Sequence, residues 1–71
     1  MNEAKLAAKV KCWAHEVSPH LNIIEARAVY DTYLCNALIV VRDTRTGKMH
    51  CKAFEGTYRV RSWLENLENN P

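Results

Sequence analysis

The stretch "ALIVVRDTRTGKMHCKAF", residues 37–54, decides the fold. Its first seven residues are rich in the branched side chains that β-strands favour. "TRTG", residues 44–47, is a short loop with glycine at its end, and residues 48–54 alternate in the manner of a returning strand. The stretch therefore predicts an antiparallel hairpin with strands over 37–43 and 48–54.

Amphipathic helices are predicted on both sides of this hairpin. Residues 2–17 form the first, which ends at Ser18-Pro19 because proline disfavours helical geometry in the residue before it. The second follows the break at Glu55-Gly56, with Thr57 as its N-cap. Spacings of three and four place the apolar side chains of each helix on one face. These are Leu6, Val10, Trp13, Ala14 and Val17 in the first helix, and Val60, Trp63, Leu64 and Leu67 in the second. Trp13 and Trp63 are expected to be the large anchors of the core.

Residues 22–30, "NIIEARAVY", fit either a strand or a helix. The alternation of Ile24, Ala26, Ala28 and Tyr30 suits a strand. We prefer the strand, because a lone hairpin is marginally stable and a third strand makes a stable sheet. The sequence thus predicts a single compact α+β domain over residues 1–71. Its elements are a helix, a three-stranded antiparallel sheet and a second helix, with both helices on one face of the sheet.

The composition restricts the class of protein. Of the 71 residues, 48% are hydrophobic and 25% charged, which is normal for a globular domain. The net charge of +2 is mild for a dedicated nucleic-acid binder. Three cysteines exclude a disulfide framework in which every cysteine is paired. The first fourteen residues lack the apolar run of a signal peptide. No apolar run has the length needed to span a membrane, so we expect a reduced, cytoplasmic protein.

The cysteines and histidines do not form a recognisable site. Cys12 and His15 share a helix face opposite the apolar stripe, so both are expected to be exposed. His50 and Cys51 are adjacent on a strand and point to opposite sides of the sheet, with Cys51 expected in the core. A structural zinc site usually shows two close ligand pairs, and a catalytic cysteine needs a base and a pocket. We therefore predict no metal, no cofactor and no enzymatic activity.

The register of the hairpin predicts one core face and one open face. The core face is expected to carry Leu38, Val40, Met49, Cys51 and Ala53 under the helices. The open face is expected to carry Ala37, Ile39, Val41, His50 and Lys52. Such a mixed apolar and basic surface suits a protein partner or self-association. The residues predicted to bind the partner are Ile39, Val41, His50, Lys52, Arg42 and Arg45.

A nucleic-acid-binding regulator is the alternative. Its predicted phosphate contacts are Arg42, Arg45, Lys48, Lys52, Arg59 and Arg61. The element order resembles that of the double-stranded-RNA-binding domain, a family with a lysine cluster at the start of its last helix. That position reads "TYRVRSWLEN" here, residues 57–66, and the lysine cluster is absent. The resemblance is one of element order and carries no residues over.

A second resemblance concerns "AFEGTYRVRSWL", residues 53–64. This strand–turn–helix pattern is similar to that of some small proteins that phages encode to block host factors, anti-CRISPR proteins among them. The resemblance implies an inhibitor that occupies the surface of a larger host protein or complex. The function expected from the sequence is therefore a small, non-enzymatic protein-interaction module of this phage type.

Overall fold

A computed structural model describes residues 3–30 and 35–70. They form helix α1 (Glu3–Val17), strands β1 (Leu21–Tyr30), β2 (Cys35–Asp43) and β3 (Met49–Glu55), and helix α2 (Val60–Asn69). The predicted α+β order is confirmed, including the strand over 22–30. The first helix ends before Ser18-Pro19, as expected.

The sheet is antiparallel and open, with the order β1-β2-β3. The loop between β2 and β3 is closed by the N–H of Asp43, which donates to the carbonyl of Lys48 at 2.9 Å. The N–H of Gly47 donates to the carbonyl of Asp43 at 2.8 Å, and Gly47 has a φ of 74°, which glycine adopts without a steric penalty. The ladder between β1 and β2 contains a bulge, in which Ile24 is the extra residue between Ile23 and Glu25.

Both helices pack on one face of this sheet. The buried core takes Leu6, Val10 and Ala14 from α1, Leu21, Ala26, Ala37, Ile39, Val41 and Phe54 from the sheet, and Val60 and Leu64 from α2. Trp13 and Trp63 are only partly buried and pack against this core. Trp63 meets Phe54 edge to face, with ring centroids 5.3 Å apart.

The predicted assignment of the two sheet faces is wrong. Ile39 and Val41 are fully buried on the helix side, whereas Cys51 is exposed on the open side. Phe54 pairs with Ala37 across the β2–β3 ladder and packs into the core, so the same face of β3 carries His50 and Lys52 towards the helices. These two polar residues lie on the edge strand, where the helix layer is incomplete and their polar ends reach solvent.

The start of α2 also differs from expectation. The helix begins at Val60, and its N-cap residue is Arg59, which makes no side-chain capping hydrogen bond. Thr57 instead accepts a hydrogen bond at its carbonyl from the N–H of Val60, at 3.2 Å. The prediction that Thr57 is the N-cap is therefore wrong.

Candidate interaction surfaces

Arg45 makes several contacts within the domain, although it lies at the surface. Its Nε and Nη2 donate to the two carboxylate oxygens of Asp43, at 3.1 and 3.0 Å. The same guanidinium donates to the carbonyls of Leu67 and Glu68 at the end of α2, at 3.3 and 3.1 Å. Asp43 is fully buried, and its hydrogen bonds with Arg45 hold the pKa of its carboxyl below the ordinary value despite that burial. Arg45 therefore joins the hairpin loop to α2.

Two further arginines are paired within the domain. Arg61 donates to Glu16 at 2.6 Å, which connects α2 to α1, and it also forms an ion pair with Glu65 at 3.4 Å. The hydrogen bond from Arg61 lowers the pKa of the Glu16 carboxyl. Arg27 forms an ion pair with Glu25 at 3.0 Å on β1. Of the cations predicted to contact phosphate, Arg45 and Arg61 thus already have carboxylate partners.

The solvent-facing side of the sheet, which we call the open sheet face, is apolar at its centre. It carries Leu38, Val40, Met49, Cys51 and Ala53, the residues that the sequence assigned to the core. Leu38 and Val40 are half-buried by their neighbours, and Met49 is 54% exposed. No layer of the described residues covers them, because both helices lie on the opposite side.

The rim of the open sheet face is charged. Arg27 stands beside Leu38, Glu25 beside Val40, and Arg42 beside Met49 in the strand register. Arg42 is exposed, and among the residues that the structure describes it forms no ion pair. The face therefore offers an apolar centre with one cation available to a partner's carboxylate.

A cleft of about 540 Å³ separates β3 from α2. Phe54 and Trp63 stand in its walls together with Tyr58, which is 73% exposed. Its two cations each lie over an aromatic ring. Lys52 Nζ is 5.6 Å from the centroid of Phe54, and the Arg59 guanidinium carbon is 5.3 Å from that of Tyr58. This aromatic and basic cleft adjoins the free edge of the sheet.

The cysteines and histidines stay apart within the described part of the chain. No group of three or more His, Cys, Asp or Glu side chains there is arranged to hold a metal ion. Cys12 is exposed, as predicted, and lies 3.7 Å from Glu16. Cys51 is exposed as well, so its predicted core position is wrong. Both thiols are free.

The sequence predicts an open sheet face, but on the wrong side of the strands. Arg42 is exposed on that face, whereas His50 and Lys52 lie on the helix side, beside the sheet edge. The sequence did not reveal the cleft, whose residues come from two separate segments. A signal for it was available: Phe54, Tyr58 and Trp63 surround the break that separates the last strand from the last helix.

Comparison with known proteins found no matching family model, no matching curated protein and no matching solved structure. In the described residues, no helix is both long enough and apolar enough to cross a membrane.

Proposed function

We propose that this protein is a non-enzymatic interaction module that binds a larger protein through the open sheet face. The observation that carries the proposal is the exposure of Met49, Cys51 and Ala53 beside Leu38 and Val40 on a face that no other described element covers. A contiguous apolar surface of this kind is typical of an interaction site. The complementary partner surface has an apolar patch and a carboxylate opposite Arg42.

The physical construction of the face supports this proposal. Its side chains stand on three hydrogen-bonded strands, so their positions are largely fixed before binding. Less conformational freedom is lost when such a surface associates than when a flexible segment does, which favours affinity. The charged rim of Arg27, Glu25 and Arg42 adds specificity rather than most of the binding free energy.

The biological role that we propose is inhibition, in which this small domain blocks a surface of a host protein or complex, as phage-encoded inhibitors do. A cytoplasmic site of action is part of the proposal. It is supported by the free, exposed thiols of Cys12 and Cys51, since such thiols persist in reducing compartments.

The test begins with affinity purification from host cytosol, with and without nuclease, and continues with the purified partner. The two thiols then report the contact surface. Alkylation of Cys51 by iodoacetamide should slow when the partner is bound, while alkylation of Cys12 on α1 continues at its original rate. Equal rates at both thiols with and without partner would contradict the open sheet face as the binding surface. Light scattering of the protein alone shows whether the bound partner is a second copy.

Matched charge substitutions complete this test. Met49→Glu places a carboxylate on the open sheet face, and Ala8→Glu places the same group on the exposed side of α1. Partner binding should fall at least about tenfold for Met49→Glu, because the new carboxylate replaces an apolar contact and competes with the partner's carboxylate for Arg42. Ala8→Glu should bind like the unmodified protein. Equal binding by both variants would reject the proposal.

Nucleic-acid binding is the alternative function, and one observation favours it. Lys52 and Arg59 lie over aromatic rings in one cleft, and neither forms an ion pair among the described residues. Such a pairing of cations and rings suits single-stranded nucleic acid. Retained nucleic acid in the purification, with partners lost on nuclease digestion, would favour this function. Lys52→Ala should then reduce the salt dependence of binding.

A further inference from the structure

We infer that the cleft between β3 and α2 binds an extended peptide segment of alternating acidic and apolar residues, which adds to the sheet as a fourth strand beside β3. This inference goes beyond the proposed function, because it uses a different surface and specifies the chemistry of the segment bound there. Strand addition of this kind combines main-chain hydrogen bonds with pockets for alternate side chains.

The backbone of β3 supplies unpaired hydrogen-bonding groups for such a strand. Asp43 pairs with Lys48 through a main-chain hydrogen bond, and the antiparallel register places Val41 opposite His50 and Ile39 opposite Lys52. Because hydrogen-bonded pairs alternate along an antiparallel ladder, His50 and Lys52 bond inward to β2. The N–H and C=O groups of the intervening residues, Cys51 and Ala53 among them, point to the free edge.

The two faces of the sheet at this edge favour different side chains in the added strand. On the helix side, an incoming strand meets Lys52 and Arg59, both of which lack a carboxylate partner among the described residues. Among the described residues that line the cleft, Glu55 is the one carboxylate. On the other side, the strand lies beside Cys51 and Ala53 and extends the apolar open sheet face. Since strand side chains alternate between faces, the complementary segment alternates acidic and apolar residues.

The cleft also has room for the acidic side chains. Its volume of about 540 Å³ lies between β3 and the first two turns of α2, where Tyr58 and Trp63 form an aromatic wall. The aliphatic parts of glutamate side chains can pack on these rings while their carboxylates meet the two cations.

The opposite edge of the sheet is a poorer site. There β1 is interrupted by the bulge at Ile24, and bulges at an edge disfavour the addition of another strand. No such irregularity interrupts the pairing of β3 with β2. The regular edge and the aromatic, basic cleft thus occur together at β3.

The experiment measures fluorescence anisotropy of a labelled synthetic peptide of seven residues, the length of β3, with alternating valine and glutamate. The purified full chain should bind this peptide at least about tenfold more tightly than one with alternating valine and lysine, because like charges oppose the second peptide. N-methylation of the alternate set of amides that faces β3 should abolish binding of the valine–glutamate peptide, because it removes the donors of the ladder, whereas methylation of the other set should not. Equal binding of the glutamate and lysine peptides would overturn the inference. So would peptide binding that methylation of neither set of alternate amides reduces.

Variants locate the peptide on the protein. Lys52→Glu and Arg59→Glu should each weaken binding at least about tenfold, whereas Lys48→Glu, a reversal of charge outside the cleft, should not. Ala53→Pro removes one outward N–H and should abolish binding, while Ala53→Thr keeps that N–H and should bind; circular dichroism confirms that both remain folded. A different outcome is that a deoxythymidine decamer displaces the peptide and Ala53→Pro has no effect on binding. That outcome would assign the cleft to nucleic acid instead.

Failure here is distinguishable from failure of the proposed function. Val40→Asp should leave binding of the valine–glutamate peptide unchanged, because Val40 lies on the central strand and β3 separates it from the added strand. Loss of peptide binding in Val40→Asp as strong as in Lys52→Glu would contradict the assignment to the cleft. The partner-binding tests of the open sheet face give their answer independently of this peptide.

Discussion

The guanidinium of Arg45 encloses the buried carboxylate of Asp43. Nε and Nη2 of Arg45 reach one oxygen each, at 3.1 and 3.0 Å, and the backbone N–H of Arg45 adds a third hydrogen bond at 2.9 Å. A planar guanidinium is suited to this two-pronged contact, which lysine cannot reproduce. The arrangement explains how a fully buried acid is tolerated on the same sheet face as Ile39 and Val41.

Arg45→Ala should destabilise the protein strongly. The substitution leaves the Asp43 carboxylate buried without its cation and also removes the donors to the carbonyls of Leu67 and Glu68. We expect the melting temperature to fall by several degrees. Arg42→Ala is the matched control, because Arg42 is exposed and forms no ion pair among the described residues. Thermal denaturation with equal melting temperatures for the two variants would contradict the structural role of Arg45.

The Asp43–Arg45 pair also predicts a dependence of stability on pH. The pKa of Asp43 is lower in the folded protein than in the unfolded chain, so the folded state binds fewer protons there. Its contribution to stability is fully present above the ordinary pKa of an aspartate in the unfolded chain and is lost as the pH falls through the lower folded pKa. Urea titrations from neutral pH down to pH 2 should show a loss of stability at acidic pH that is smaller in Asp43→Asn. Identical pH profiles would contradict this prediction.

Neighbouring residues on β2 should respond oppositely to the same substitution. Ile39 is fully buried, so Ile39→Asp should unfold the domain, and even Ile39→Ala should lower the free energy of unfolding by about 2–5 kcal/mol. Val40 faces the open side, and Val40→Asp should remain folded. Circular dichroism and urea denaturation measure both effects. A folded Ile39→Asp variant would contradict the assignment of faces. Of these two aspartate variants, Val40→Asp is the one suitable for testing partner binding.

Gly47 should tolerate asparagine better than alanine. Its φ of 74° lies in the left-handed region, and a Cβ there would meet no atom within 4 Å, so the backbone conformation alone opposes substitution. Gly47→Ala should cost about 1 kcal/mol of unfolding free energy. Gly47→Asn should cost less, because asparagine adopts this region more readily than alanine. A larger free energy of unfolding for Gly47→Ala than for Gly47→Asn, measured by urea denaturation, would contradict this explanation.

The elements could be predicted from the sequence because their patterns are local. Strand composition on both sides of the loop at 44–47 indicates the hairpin, and Ser18-Pro19 ends α1 at the expected place. The order of the elements then follows from the chain. What the local pattern leaves open is the side of the sheet that the helices cover.

The face was misassigned because β2 is apolar on both sides. Leu38 and Val40 alternate with Ile39 and Val41, so hydrophobicity does not distinguish the faces of this strand. Because His50 and Lys52 are polar, the sequence predicts that their face of the sheet is exposed to solvent. At β2, this face is buried beneath the helices. Phe54 lies on the same face of β3 as these two residues, and it is the residue that indicates the true core side.

The contact between Arg45 and α2 has a consequence for the order of folding. By itself, α2 is a poor helix: it has no acid in its first turn, no base in its last turn and no side-chain N-cap. Arg45 supplies the missing positive charge at the last carbonyls, but only after the hairpin has brought it there. We therefore expect α2 to acquire its structure late, with low φ-values at Leu64 and higher ones in the hairpin, as kinetic measurements on alanine variants can show. The helix that closes the domain is in this sense an outcome of the hairpin.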